Sequence, residues 1–291
     1  MGRAARRWLL WISATIAAAM IVLGIVSWRL GSSLITPANH PVSLPTSLDL
    51  TNVSIPGSGY AIAGSWRDLG PDRPAVLLLH GVRGDRASMV PRASVLIDAG
   101  FSVLLIDQQA HGETPGDMIT MGWRESADVR AARDWLRAQM PDRRLAVIGV
   151  SLGGAAVLLG EQPVGFDAVV LEATYPRIGR AVENRIGMRV GALKYAIAPL
   201  LELQIEPRMN IAVHDLEPIR HIAMLGAPVL VIGGSRDEHT TADETRALYL
   251  AASEPKSLWI VDGAAHQDFS RFDAAGYRAH VVRFLERNLL R

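Results

Sequence analysis

The chain has 291 residues and no cysteine. That excludes disulfides, thiolate nucleophiles and iron–sulfur clusters together, and it leaves the redox compartment open. An excess of charge of one sign is also missing. Thirty basic side chains against 29 acidic ones leave a net charge of +1, so there is no electrostatic footprint for nucleic acid. His40, His214, His221, His239 and His280 show no paired ligand spacing and no H-E-x-x-H, so no metal is expected. The pairs Gly153-Gly154 and Gly233-Gly234 lack the further residues of a dinucleotide or phosphate-loop fingerprint. No cofactor is expected at all.

Apolar residues are plentiful. At 49% hydrophobic content the chain buries a large core, and one α/β domain behind an N-terminal segment is the expected organisation. Arg3, Arg6 and Arg7 precede Trp8 to Trp28, a run of 21 residues without a charge. As a helix it spans about 30 Å, the thickness of a bilayer core. Trp8, Trp11 and Trp28 suit the two interfaces. Residues 1–29 therefore read as a single-pass signal anchor. The arginine bias puts the N-terminus in the cytoplasm and the following domain outside the cell membrane. The competing reading is a signal peptide cleaved near Ala17-Ala18-Ala19, which would leave a secreted or periplasmic protein. Residues 30–47, with Pro37, Pro41 and Pro45 among serines and threonines, read as an extended linker.

From residue 48 to 291 short apolar runs alternate with helical segments. Leu48–Ile55 and Tyr60–Trp66 read as a hairpin around Pro56-Gly57-Ser58-Gly59. Ala75–Leu79, Phe101–Ile106, Leu145–Val150, Ala168–Leu171, Pro228–Ile232 and Leu258–Val261 read as strands buried on both faces. Helices are expected at Ala87–Ala99, Trp123–Met140, after Ser151, at Ala242–Ala252 and at Ala274–Leu290. The pattern predicts an α/β fold with a doubly wound, mostly parallel sheet. Residues 177–226 break the alternation and read as a small, mostly helical cap insertion, the expected seat of substrate selectivity.

Gly149-Val150-Ser151-Leu152-Gly153 fits G-x-S-x-G, a sharp strand-to-helix turn that lifts the serine oxygen clear of the sheet. Small residues are needed two positions either side of Ser151, where strand and helix nearly touch. A serine hydroxyl is a weak nucleophile at neutral pH, so it needs a base, and the base needs a partner that fixes its tautomer. His266, after the last strand, is the expected base. Asp237, after the strand before it, is the expected acid, with Glu238 and Asp243 as rivals. The N–H groups of Val82 and Leu152 are the expected oxyanion donors. His80 and His111 lie near the same sheet edge as loop braces.

With His80-Gly81, the G-x-S-x-G elbow, Asp237 and His266 in that order, the chain resembles the α/β-hydrolase superfamily over about Leu48 to Arg291. Asp107-Gln108-Gln109-Ala110-His111-Gly112-Glu113-Thr114, with Gly122, Glu125 and Asp128, is most similar to the serine-hydrolase branch of esterases, thioesterases and serine aminopeptidase-like proteins, including membrane-anchored members. The resemblance implies a catalytic triad of Ser151, Asp237 and His266, with Val82 and Leu152 as the oxyanion hole. The expected activity is hydrolysis of carboxylic esters through an acyl-enzyme, on a small-molecule or lipid-derived acyl substrate. A peptidase, amidase or thioesterase would use the same triad. A non-catalytic binding module on this fold is the alternative outside enzymes.

Overall fold

Runs of five or six residues with few or no polar side chains become the central strands of one sheet. The computed structural model describes residues 2–160 and 162–290; Met1, Glu161 and Arg291 lie outside the described residues. The strands are β1 (Ala38–Asn39), β2 (Thr51–Pro56), β3 (Ala61–Arg67), β4 (Ala75–Leu79), β5 (Ser102–Ile106), β6 (His111–Gly112), β7 (Leu145–Val150), β8 (Ala168–Glu172), β9 (Val229–Gly234) and β10 (Lys256–Val261). Eight of them form a sheet in the order β10-β9-β8-β7-β4-β5-β3-β2. β3 runs opposite to the other seven.

The helices are α1 (Arg3–Ile35), α2 (Val90–Asp98), α3 (Glu125–Gln139), α4 (Leu152–Leu158), α5 (Ile178–Val190), α6 (Lys194–Glu202), α7 (Ile205–Met209), α8 (Ala242–Ala251), α9 (Phe269–Phe272), α10 (Ala274–Tyr277) and α11 (Arg283–Leu289). Strand side chains alternate between two cores, as the pleat requires. Leu77, Leu79 and Val147 pack with α3, α4 and α8 on one face. Val76, Leu78 and Ile148 pack with α2 and α11 on the other. The sheet is doubly wound, as the apolar runs predict. Truncating a fully buried side chain such as Leu78 to alanine costs about 2–5 kcal/mol.

Register brings the strand ends to one edge. Leu79 pairs with Gly149, Glu172 with Val150, Ile232 with Glu172 and Val261 with Gly234. Gly81, Ser151, Ala173, Asp237 and His266 all follow those ends, where ligands bind in open α/β sheets.

Most element ends fall within three residues of expectation, and three differences matter to the fold. The first strand begins at Thr51, because Thr46–Leu48 form a 3-10 turn closed by a left-handed Asp49. The C-terminal helix is widened by a π turn at Arg278–Val282, where His280 stacks 4.6 Å from Trp259. The largest correction concerns residues 30–47, which are no free spacer. Helix α1 continues to Ile35, whose carbonyl accepts the Ile119 N–H at 2.8 Å. β1 then pairs with β6, making His111-Gly112 a short strand where a loop is expected. Gly31 lets the helix lie close against the insertion: a Cβ there would meet Gln204 Oε1 at 2.5 Å.

Candidate functional site

The elbow is built by sterics. A Cβ on Gly149 would sit 2.6 Å from the Gly154 backbone, and one on Gly153 would sit 2.6 Å from the Leu79 carbonyl. With those positions bare, strand and helix close on each other and force Ser151 to φ 50°, ψ −108°, a strained conformation for a residue with a side chain. The Ser151 N–H is held by the Glu172 carbonyl at 2.8 Å.

The loop after β4 lies against this turn, since a Cβ on Gly81 would stand 3.6 Å from Ser151 Cβ. His80 braces it. Its Nε2 accepts the Gln108 N–H at 3.1 Å, which leaves the proton on Nδ1 to be donated to the Gly81 carbonyl at 2.8 Å. Burial, helped by the neighbouring His111 ring, pushes the His80 imidazole down to about 3. The N–H groups of Val82 and Leu152 have no backbone or side-chain partner among the described residues, and both residues line a cavity beside Ser151.

His266 Nδ1 lies 2.7 Å from Asp237 Oδ2. Glu238 is exposed. The Asp243 side chain is 95% exposed and pairs with Arg246 at 3.0 Å. The acid that meets the histidine is therefore Asp237. The loop carrying His266 is tied to the sheet through Asp268, 3.2 Å from Arg92. Arg92 in turn is clamped by the fully buried Glu172 at 2.6 Å, and Tyr277 donates to the same carboxylate at 2.7 Å.

The loop after β5 is held by three acids. Asp107 accepts from Arg86 and from the Glu113 N–H. Glu125 accepts from Thr120 and Gly122, and Asp128 from Gln109 and Tyr60. Burial raises the Asp128 carboxyl to about 7. These residues, legible as a motif, brace the loop.

Ser151 stands between two spaces. One is a mostly apolar slot of about 170 Å³, walled by Val82, Met121, Leu152, Tyr175, Ile178 and Ile186. The other is a more open cleft of about 410 Å³, bordered by His266 and His239. Val82, Arg185 and Ser151 border both. The slot also has a wall from outside the α/β unit: Leu34, at the end of α1.

That helix end is strapped to the insertion. Arg208 lies over the Trp28 ring at 3.6 Å and donates to Ser32 Oγ at 2.9 Å. Gln204 donates to Ser27 Oγ at 2.8 Å, and Arg83 donates to the Ser33 carbonyl.

Three site residues escaped sequence reasoning. Leu34 and Arg185 are two of them. Ile178, Ala181, Val182 and Arg185 recur at helical spacing, a signal that places Arg185 on the apolar face of α5. The third is His239, whose ring packs 4.7 Å from that of His266. Burial, reinforced by His266, lowers its basicity.

The sequence model of the family described as serine aminopeptidase S33 (Hydrolase_4) matches residues 70–223. The match contains Val82, Ser151 and Leu152 and ends before Asp237 and His266. Rv2307c of Mycobacterium tuberculosis is 34% identical over 221 residues, covering 74% of this chain and 71% of that one. YqkD of Bacillus subtilis is 23% identical over 245 residues, covering 82% and 80%. Among solved structures, the Pyrococcus furiosus esterase Pf2001 has a similar fold, with a TM-score of 0.72 at 21% identity, over 88% of this chain and 98% of that one.

Proposed function

The chain belongs to the Hydrolase_4 family, has the α/β-hydrolase fold, and we propose that it is a membrane-anchored serine hydrolase cleaving carboxylic esters through an acyl-enzyme on Ser151. In this reading His266 Nε2 takes the Ser151 proton while Asp237 holds Nδ1–H, so the imidazole keeps the tautomer that makes it a base. The tetrahedral oxyanion meets the N–H groups of Val82 and Leu152. The protonated His266 passes its proton to the leaving alcohol, which departs through the cleft. A water deprotonated by His266 then releases the acid from the slot. The observation that carries the reading is the 2.7 Å His266–Asp237 bond on a cleft that also borders the strained Ser151.

The family's description favours a second reading, an aminopeptidase, which must hold the substrate's α-ammonium with an anion. Asp268 is the acid that borders the cleft, and Arg92 already holds it. The charge nearest the nucleophile from the insertion is Arg185, which repels a cation. An ester fits better, and the fold shared with an esterase supports it.

The anchor reading rests on α1, long and apolar enough to cross a membrane. Trp11 is 73% exposed and the other described apolar side chains before Ser27 are also exposed, so none of them is covered by the domain. Water is a poor surround for it and lipid a good one. In this reading the arginines ahead of Trp8 favour a domain outside the cytoplasm.

The test is labelling of the full-length protein by a fluorophosphonate, followed by hydrolysis of p-nitrophenyl esters of increasing chain length. Ser151→Ala should abolish labelling and lower kcat by roughly a thousandfold or more, with thermal unfolding little changed. Retention of most activity in a folded Ser151→Ala protein would leave the binding-module reading in its place.

A further inference from the structure

Among the described residues Arg185 is a cation without a counterion. Its Nη1 donates to the Ala181 carbonyl at 3.2 Å, a bond within its own helix, and among the described residues no carboxylate pairs with it. The arginines around it are engaged: Arg92 with Glu172 and Asp268, Arg180 with Glu183, Arg83 with the Ser33 carbonyl. The acids whose field reaches Arg185 are engaged too. Asp237 holds His266 and the N–H groups of His239 and Thr240, and Glu244 accepts from the Thr241 N–H and from Asn184 at 2.8 Å through Oε2, with Arg180 3.6 Å from its Oε1. Burial disfavours the guanidinium charge, which sits in a wall that is aliphatic and aromatic apart from Ser151 and Arg83. A half-desolvated cation of this kind is costly until an anion reaches it. The planar fork of an arginine matches a carboxylate or a phosphate.

Position decides which part of a substrate carries that anion. Arg185 borders both spaces, at the junction where Ser151 attacks. The slot beyond it is apolar and takes the acyl chain. The cleft, with His266, takes the alcohol. We propose that Arg185 is a substrate-binding residue that selects acyl esters whose alcohol carries a carboxylate or phosphate close to the scissile bond. This rests on the ester-hydrolase reading and adds to it the charge of the substrate.

The experiment compares octanoyl esters of glycerol, of glycolate and of glycerol 3-phosphate with the full-length protein in detergent. Wild type should show a KM for at least one anionic ester roughly tenfold or more below that for the glycerol ester, a margin eroded by added salt. In Arg185→Gln the ratio of the two KM values should collapse toward one, and Arg185→Lys should restore part of it. Collapse for the glycolate ester alone identifies a carboxylate, and collapse for the phosphate ester alone identifies a phosphate. Equal KM values in wild type, or the same ratio in wild type and Arg185→Gln, overturn the proposal while the hydrolase reading stands. If Arg185→Gln does not fold, the lysine variant and the salt dependence of wild type decide. Absence of both fluorophosphonate labelling and hydrolysis of every ester would remove the hydrolase reading and this proposal with it.

Discussion

Asp237 holds His266 with one oxygen and its own loop with the other: Oδ2 lies 2.7 Å from Nδ1, while Oδ1 accepts the N–H groups of His239 and Thr240 at 2.8 and 2.9 Å. A carboxylate fixed at both oxygens has no freedom to turn away. Asp237→Asn should therefore lower kcat by roughly 10³–10⁴-fold with little change in KM, because an amide stabilises the wrong imidazole tautomer. Glu238→Gln and Asp243→Asn, both at exposed positions, should stay within about twofold of wild type. Steady-state kinetics on a p-nitrophenyl ester separates them, and a severe loss at Asp243 with a mild one at Asp237 would reassign the acid.

His80 makes stability depend on acid. Its folded value is pushed down to about 3, mainly by burial, whereas an unfolded histidine titrates at 6.5. Between those values the unfolded chain binds the proton and the folded one does not. Stability from this group is complete above pH 6.5 and falls as pH drops toward 3, by roughly 1.4 kcal/mol per unit inside the window. His80→Gln, which keeps an acceptor for Gln108 and a donor for Gly81, should flatten the urea-unfolding stability between pH 6.5 and 4.5. An unchanged slope would mean His80 is already charged in the fold.

Leu34 sets a limit on acyl length if the slot takes the chain. Leu34→Trp fills space at the helix end and should shift the preferred p-nitrophenyl ester toward shorter chains, lowering kcat/KM on long ones by roughly tenfold. Leu34→Ala should move the preference the other way. Identical chain-length profiles for all three proteins would show that acyl groups lie elsewhere.

Orientation in the membrane is open to a direct measurement. An alkaline phosphatase reporter fused after the C-terminal arginine should be active if, as proposed, the arginines ahead of Trp8 keep the N-terminus in the cytoplasm. Activity of a cytoplasm-only reporter at the same point would reverse the topology. A domain recovered from the soluble fraction, beginning near residue 20, would favour cleavage.

Residues that act where the chain leaves a strand were legible in the sequence, and residues that act by meeting distant segments were not. β4, β5 and β7 have no polar side chain outside Ser102, so burial on both faces followed directly, and with it the edge where Ser151, Asp237 and His266 gather. Alternation places the start of β2 three residues early, because Leu48 and Leu50 are apolar yet lie in and just after a turn, where they pack against the second core. Ser27, Gly31 and Ser32 look like ordinary small residues of a membrane helix. Their partners Gln204 and Arg208 lie more than 170 positions away, and no local period reveals such a pairing. Arg185 had a period but no motif. Its meaning comes from what the fold does not place beside it.

Apolar N-terminal helices are often cut away to bring a catalytic domain into solution, on the assumption that the helix is only a mooring. Here such a cut has a chemical cost. Removing residues through Ile35 takes one wall from the slot, strips Trp28 from the face of Arg208, leaves Gln204 with the Leu200 carbonyl alone and takes the Ser33 carbonyl from Arg83. A shortened protein would have a gap where the acyl chain is expected to end, and two arginines newly facing water beside it. Chain-length preferences measured on that form would describe the surgery as much as the enzyme, so the full-length protein in lipid or detergent is the one to assay.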